Sequence, residues 1–206
     1  MKIVDLTHPI TDKMPVYFPW HPATELTQTA DYSRNQCVVH KLTIGTHTGT
    51  HVDAPLHIFQ AMHAIDDYDL NLLFGDAQIV DVSPRKPRQP ITLLELREKN
   101  IKPGVGVILK TGWDSEFGKP DYYATYPPLS NEAAMLLVTL KVRFLAADTP
   151  YTLDVHKILL KHGIPLITNL NNTASLDEGV VKLITAPLPI KGADGSPARV
   201  LAIIEE

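Results

Sequence analysis

The segment THTGTHVDAPLH, residues 46–57, restricts the fold more than any other feature, because it puts four metal-competent side chains within eleven positions. They are His47, His51, Asp53 and His57. Two ligands of one metal ion hold their donor atoms roughly 3 to 4 Å apart, whereas residues four apart on a straight strand are separated by roughly 13 Å. A regular helix would align the first two histidines, but Gly49, the β-branched neighbours and Pro55 disfavour one. The chain is therefore predicted to curl sharply.

Gly49 supplies the backbone freedom for that curl, directly after a predicted strand. Pro55 restricts the preceding residue to an extended shape, which can project His57 back toward the site. Two imidazoles and one carboxylate leave a coordination position open for water, as a catalytic metal site requires. The segment thus favours a catalytic metal site, while histidines that merely cap loops remain the structural alternative.

Short apolar or alternating runs bounded by turn residues predict strands at residues 3–6, 38–44, 77–82, 105–111, 144–147 and 164–168. Three helices are predicted, and each has a capping residue: Thr92 with Glu95 in a capping box, Ser130, and Asp154 with Gly163 after the last turn. The runs 182–190 and 199–205 predict a closing hairpin around the turn KGADGSPA. The fold class is therefore predicted to be α/β, strand-heavy with about three helices, in a single domain over residues 1–206.

Composition excludes several classes of function. The chain has 44% hydrophobic and 20% charged residues and a formal charge of -4, so a folded protein without affinity for nucleic acid is expected. No apolar run approaches the ~18 residues of a membrane span, and no secretory signal begins the sequence. Cys37 is the lone cysteine, predicted to be a buried thiol, which fits a reducing compartment. The protein is expected to be cytoplasmic, without a membrane partner.

The segment HTGTHVDAPLH resembles the H-x-G-T-H-x-D-x-P-x-H signature of the bacterial cyclase-like metal-dependent hydrolases, the family of kynurenine formamidase and isatin hydrolase. Further segments are similar to that family's landmarks in the same order: DLTHPI, LKTGWD, YPPLSNEAA, AADTP, VHKILLKHGIPLI and LPIKGADGSPARVLAI. The resemblance covers nearly the whole chain. It implies a swivelling β/β/α fold and assembly as a homodimer or larger homo-oligomer.

The resemblance also implies roles for individual residues. His47 and His51 match ligands of the first metal ion, and Asp53 matches a ligand that bridges both ions in the two-metal members. His57 matches the family's proton-shuttling catalytic histidine, and His156 matches a ligand of the second ion.

Thr168 departs from the family pattern, because the formamidases carry there a glutamate that binds both ions. Two divalent cations held a few ångströms apart need anionic ligands to offset their repulsion, and a threonine supplies no charge. One tightly bound ion per chain is therefore expected, Zn²⁺ or alternatively Mn²⁺.

An aromatic segment, MPVYFPWHP, precedes the metal motif. Tyr17 stands where the formamidases place an aromatic residue after a Pro-Val pair, and Phe18 and Trp20 are close by. Tyr17 and Trp20 are expected to stack on an aryl substrate. Packing of these rings in the core or in a subunit contact is the open alternative.

Together with these residues, the resemblance implies a metal-dependent hydrolase of C–N bonds other than peptide bonds. The expected substrate is a small molecule, either an aryl formamide such as N-formylkynurenine or a cyclic amide. A metal ion would bring the pKa of a bound water toward neutrality, giving a hydroxide, and His57 would accept and return protons. Two alternatives remain open: a hydrolase of another small ester or lactone, and a non-catalytic relative that binds a metal or a small molecule.

Overall fold

The structure is a computed structural model that describes residues 1–205. Ten strands run through it, followed here in chain order: β1 Lys2–Asp5, β2 Glu25–Ala30, β3 Val39–Thr43, β4 His51–Asp53, β5 Phe74–Asp81, β6 Gly106–Lys110, β7 Leu145–Ala147, β8 Leu166–Thr168, β9 Gly179–Pro187 and β10 Gly195–Ile204. The α-helices are α1 Tyr32–Asn35, α2 Leu93–Glu98, α3 Tyr122–Thr125, α4 Asn131–Thr139 and α5 Leu153–Lys161. Within the described residues no helix combines the length and apolar character needed to cross a bilayer.

Eight strands form one sheet in the order β1-β10-β4-β8-β7-β6-β5-β9. Because β9 also pairs with β10, seven of these strands close on themselves, and β1 is added outside β10. Strands β5 to β8 run parallel, so each connection between them must cross over the sheet, and these connections contain α2, α3, α4 and α5. The predicted α/β class is confirmed. The prediction of one domain over residues 1–206 stays a prediction.

The closed sheet separates two hydrophobic cores. Alternate residues of a strand point to opposite faces, so Ile79 and Ile108 lie in the core enclosed by the strands, while Val80 and Leu109 face the helices. Leu159 of α5 packs in that second core. The parallel strands are buried on both faces, and this agrees with their continuous apolar sequences.

Two of the three predicted N-terminal caps are confirmed. Thr92 and Glu95 form the predicted capping box, and Ser130 caps α4 by accepting from the Ala133 amide at 3.2 Å. The prediction that Asp154 caps α5 was wrong. Thr152 is the cap, and its hydroxyl accepts from the amide of Val155 at 3.3 Å, so Asp154 lies inside the first turn.

Strands β2 and β3 pair only with each other, in an antiparallel hairpin. The sequence predicted β3 but missed β2, whose residues ELTQTA carry a single large apolar side chain. All residues of both strands except Ala30 are exposed. Cys37 lies between α1 and β3 in the same excursion and is exposed, so the prediction of a buried thiol was wrong.

Candidate metal centre and substrate cleft

The predicted curl lies at Gly49, whose φ of 61° is in the left-handed region. The loop around it leads into β4, which carries His51 and Asp53 two positions apart and therefore on one side of the strand. A 3₁₀ turn, Pro55–His57, then brings His57 back. Short strand β4 lies between β8 and β10, so neighbours on both sides fix its position.

Imidazole nitrogens converge on the Asp53 carboxylate, which is 1% exposed. The Nδ1 atom of His47 and the Nε2 atom of His51 lie 2.8 and 3.2 Å from Asp53 Oδ1. The Nε2 atom of His156, on α5, lies 3.3 Å from Asp53 Oδ2. The donor atoms of His47, His51 and Asp53 all lie within 4.8 Å of one another. Residues distant in sequence thus form one donor cluster.

The second ring nitrogen of each of these histidines is held by a protein acceptor. His47 Nε2 lies 2.8 Å from Asp194 Oδ2, His51 Nδ1 lies 2.7 Å from the Gly49 carbonyl, and His156 Nδ1 lies 2.9 Å from the Thr152 carbonyl. Outer acceptors of this kind fix the tautomer of a metal-binding histidine and leave the inner nitrogen free to coordinate. Two imidazoles, a carboxylate and a third imidazole beside them are a donor set that suits a divalent transition ion.

The cluster is strongly polarised. Burial disfavours the ionised form of Asp53, but the charge of His51 and hydrogen bonds with His156 and His47 outweigh it and hold the pKa of Asp53 well below its usual range. Burial likewise disfavours protonated His47, yet its hydrogen bonds with Asp194 and Asp53 raise the pKa of His47 to about 9. Asp53 is thus in the ionised form that coordinates a cation.

Thr168 lies on β8, directly opposite His51 of β4. Its hydroxyl donates to Asp53 Oδ2 at 2.9 Å. The neighbouring Asn169 donates through Nδ2 to the Gly49 carbonyl at 3.2 Å, and so supports the acceptor of His51. Sequence reasoning did not identify Asn169, because an asparagine at a strand end carries no signal for this contact.

Asp194 is the second residue of the site that the sequence did not reveal. Its Oδ2 atom lies 2.8 Å from His47 Nε2 and 3.1 Å from His57 Nδ1, and its Oδ1 atom accepts from the Thr46 hydroxyl at 2.9 Å. Hydrogen bonds with the two histidines hold the pKa of Asp194 well below its usual range. The Asp-Gly pair at 194–195 suggested only a hairpin turn.

A cleft of about 370 Å³ opens onto the donor cluster. Tyr17 and Trp20 both line it; the Trp20 ring stacks on Phe18 at 5.0 Å between centroids, and Tyr17 meets the edge of Tyr123 at 5.2 Å. His21, which no sequence pattern distinguished from other histidines, also lines the cleft. Among the described residues, those lining it include no lysine and no arginine.

Comparison with known proteins agrees with this geometry. Residues 4–153 match the model of the Cyclase family. A kynurenine formamidase of Bacillus thuringiensis (strain Al Hakam) is 30% identical over 209 residues, which cover 95% of this chain and 94% of that protein. The structure of a potential metal-dependent hydrolase with cyclase activity is 28% identical, with a TM-score of 0.81 and coverage of 100% of this chain and 98% of that chain.

Isatin hydrolase A from Labrenzia aggregata, whose structure was solved with benzyl benzoate bound, shares the fold: its TM-score is 0.88 at 24% identity, covering 100% of this chain and 94% of that chain. The relatives and the fold thus agree over nearly the whole length, and the family model agrees over residues 4–153. The chain belongs to the Cyclase family of metal-dependent hydrolases, enzymes of carbon–nitrogen bonds other than peptide bonds.

Proposed function

We propose that the chain hydrolyses a small aromatic amide, either an aryl formamide or a cyclic amide, in the cleft above Asp53. The observation that carries the proposal is the convergence of three imidazoles on one buried carboxylate at the floor of an aromatic-walled cleft. The relatives named kynurenine formamidases, at about 30% identity, support the amide as the bond that is cleaved.

His47, His51 and Asp53 are the proposed ligands of one Zn²⁺ ion, with Mn²⁺ as the alternative, and His156 completes the cluster. When bound, such an ion supplies Lewis-acid chemistry: it acidifies water and polarises a substrate carbonyl. A single ion is proposed because Thr168 donates a hydrogen bond to Asp53 and brings no second negative charge.

His57 is the proposed proton shuttle. One of its ring nitrogens lies within 4.8 Å of donor atoms of Asp53 and His156, and its side chain is 25% exposed, so it reaches both the cluster and the cleft. The free nitrogen of its imidazole can accept a proton from the attacking water and deliver it to the leaving nitrogen.

The aromatic wall supports an aryl substrate of low charge. Tyr17, Phe18 and Trp20 offer ring faces and edges for stacking. The α-carboxylate of an amino-acid substrate would find no lysine or arginine among the described lining residues. This favours an uncharged ring with a formamide or lactam group over N-formylkynurenine itself.

Assembly as a homodimer or larger homo-oligomer in the cytoplasm is a further part of the proposal. Leu26 and Leu42, which pair directly across the β2–β3 hairpin and share one face, are 43% and 45% exposed, and they supply an apolar surface for contact with a second copy. Light scattering on the purified chain and on Leu42→Lys tests it. A wild-type monomer would contradict it.

The function is tested with a panel of an aryl formamide, isatin, N-formylkynurenine, an aryl ester and a lactone, each assayed with and without a chelator. Amide turnover that the chelator abolishes and a divalent metal restores is expected. Turnover of only the ester or the lactone would show that the substrate is not an amide. Metal binding without any turnover would indicate a non-catalytic protein.

Trp20 and Tyr32 give a matched pair for the stacking role, since each is 73% exposed but only Trp20 lines the cleft. We expect Trp20→Ala to raise the KM for the aryl substrate and Tyr32→Ala to leave it unchanged. A KM for Trp20→Ala equal to that of wild type would show that Trp20 does not bind the substrate.

A further inference from the structure

Asp194 connects two residues to which the proposed function gives different tasks. It lies 2.8 Å from His47, a proposed metal ligand, and 3.1 Å from His57, the proposed proton shuttle. Both contacts are made by the same oxygen, Oδ2, while Oδ1 accepts from Thr46. The two imidazole rings are themselves close, with centroids 4.0 Å apart.

The backbone holds Asp194 in this position. The Asp194 carbonyl accepts from the amide of Ala54 at 2.9 Å, and the next residue, Gly195, pairs with Asp53 across β10 and β4. A Cβ atom at Gly195 would lie 2.8 Å from His47 Cε1, so the strand can approach the imidazole this closely only without a side chain there. The placement of Asp194 is therefore built into the closure of the sheet.

A carboxylate accepts hydrogen bonds and donates none, so it selects which nitrogen of a neutral imidazole carries the proton. At His47 a carboxylate faces each ring nitrogen, and the Nε2–H that donates to Asp194 is the proton that the ring keeps when Nδ1 releases its own to bind the ion. At His57 the proton belongs on Nδ1, which leaves Nε2 as the basic atom. One carboxylate oxygen thus holds an N–H group of both rings.

Resting on the proposed function, we infer that Asp194 is a positioning residue that prepares His47 to bind the metal ion and His57 to accept a proton through Nε2. It touches neither the ion nor the substrate in this role. Its loss should weaken metal binding about 10- to 100-fold and lower kcat with little change in KM, because the cleft walls that bind the aryl ring are untouched.

The test begins with ¹⁵N NMR of the His57 ring in metal-free protein at alkaline pH, while the effect on His47 is measured as metal affinity by chelator competition. Wild type should show the Nδ1–H tautomer at His57. Asp194→Ala should shift the His57 ring toward mixed tautomers and weaken metal binding. Asp194→Asn keeps an acceptor oxygen in the same place, so it should retain more of the wild-type tautomer than Asp194→Ala.

Asp66→Asn is the matched control, because Asp66 holds the same turn by accepting from the Gly192 amide at 2.8 Å and contacts neither histidine. It should leave the His57 tautomer and the metal affinity, measured by chelator competition, at wild-type values. An unchanged tautomer and unchanged affinity in Asp194→Ala would overturn the inference, even in a fully active enzyme. The NMR and affinity results do not depend on the substrate, so failure of the substrate panel would count against the proposed function alone.

Discussion

Replacing Thr168 with glutamate should convert the site from one metal ion to two. The hydroxyl of Thr168 lies 2.9 Å from Asp53 Oδ2, and His156 Nε2 lies 3.3 Å from the same oxygen. A glutamate carboxylate at this buried position would join Asp53 Oδ2 and His156 Nε2 to make a second ligand set. We expect metal analysis to give one equivalent per chain for wild type and two for Thr168→Glu.

Coulomb's law gives the loss in unfolding free energy that Thr168→Glu causes in the metal-free protein. Two carboxylates about 4 Å apart repel by about 4 kcal/mol at an effective dielectric constant of about 20. Protonating the new glutamate at pH 7 would relieve the repulsion at a similar cost, since its ordinary pKa is about 4.3. In chelator, Thr168→Glu should therefore be less stable to urea than wild type by about 4 kcal/mol, and added metal should recover most of this loss.

Thr168→Gln is the matched control, because glutamine has the shape and reach of glutamate without its charge. It should bind one ion, and metal should not rescue its stability more than that of wild type. Two ions of comparable affinity in wild type, or one ion in Thr168→Glu, would refute the reasoning that charge at position 168 sets the ion count.

Three further outcomes are expected. His57→Ala should lower kcat about 10²-fold or more while metal analysis still finds the ion; full activity would exclude the shuttle role. Gly195→Ala should weaken metal binding and lower unfolding free energy by about 1 to 3 kcal/mol, because the new Cβ would lie 2.8 Å from both His47 Cε1 and the Val52 carbonyl. Burial lowers the pKa of His8 from 6.5 to about 4, so its contribution to stability is complete above pH 6.5 and is lost as pH falls toward 4. Urea titrations between pH 7 and 4 should show wild type losing about 3 kcal/mol more than His8→Phe; parallel losses would contradict the neutral state of His8.

The sequence predicted those helix caps and strands that depend on residues close together in the chain. The capping box at Thr92, the cap at Ser130 and the apolar parallel strands all depend on residues within a few positions. The cap at Thr152 was missed because two acceptable capping residues, Thr152 and Asp154, lie two positions apart and sequence alone does not rank them. Strand β2 was missed because its polar residues face solvent and pair only with β3.

In the candidate site, too, the residues close together in the chain were predicted from their spacing, and the distant Asp194 was not. His47, His51, Asp53 and His57 lie within one loop and one short strand, so their spacing was enough to predict that the chain bends and gathers them. Asp194 is distant in sequence and lies in a segment that reads as a turn. Its approach depends on β10 pairing with β4 and β9 at the same time, a long-range pairing that no local pattern encodes.

Closure of the sheet explains why the cluster is held so tightly. Strand β4 has only three residues, yet it pairs with β8, which carries Thr168, and with β10, which follows Asp194. An isolated strand of that length would not fix side chains to the tolerance that metal binding needs. Because both neighbours belong to a ring of seven strands, a shift of β4 would break pairing on both sides. The rigidity that the site requires therefore comes from the closed sheet, while the loop at Gly49 supplies only the bend.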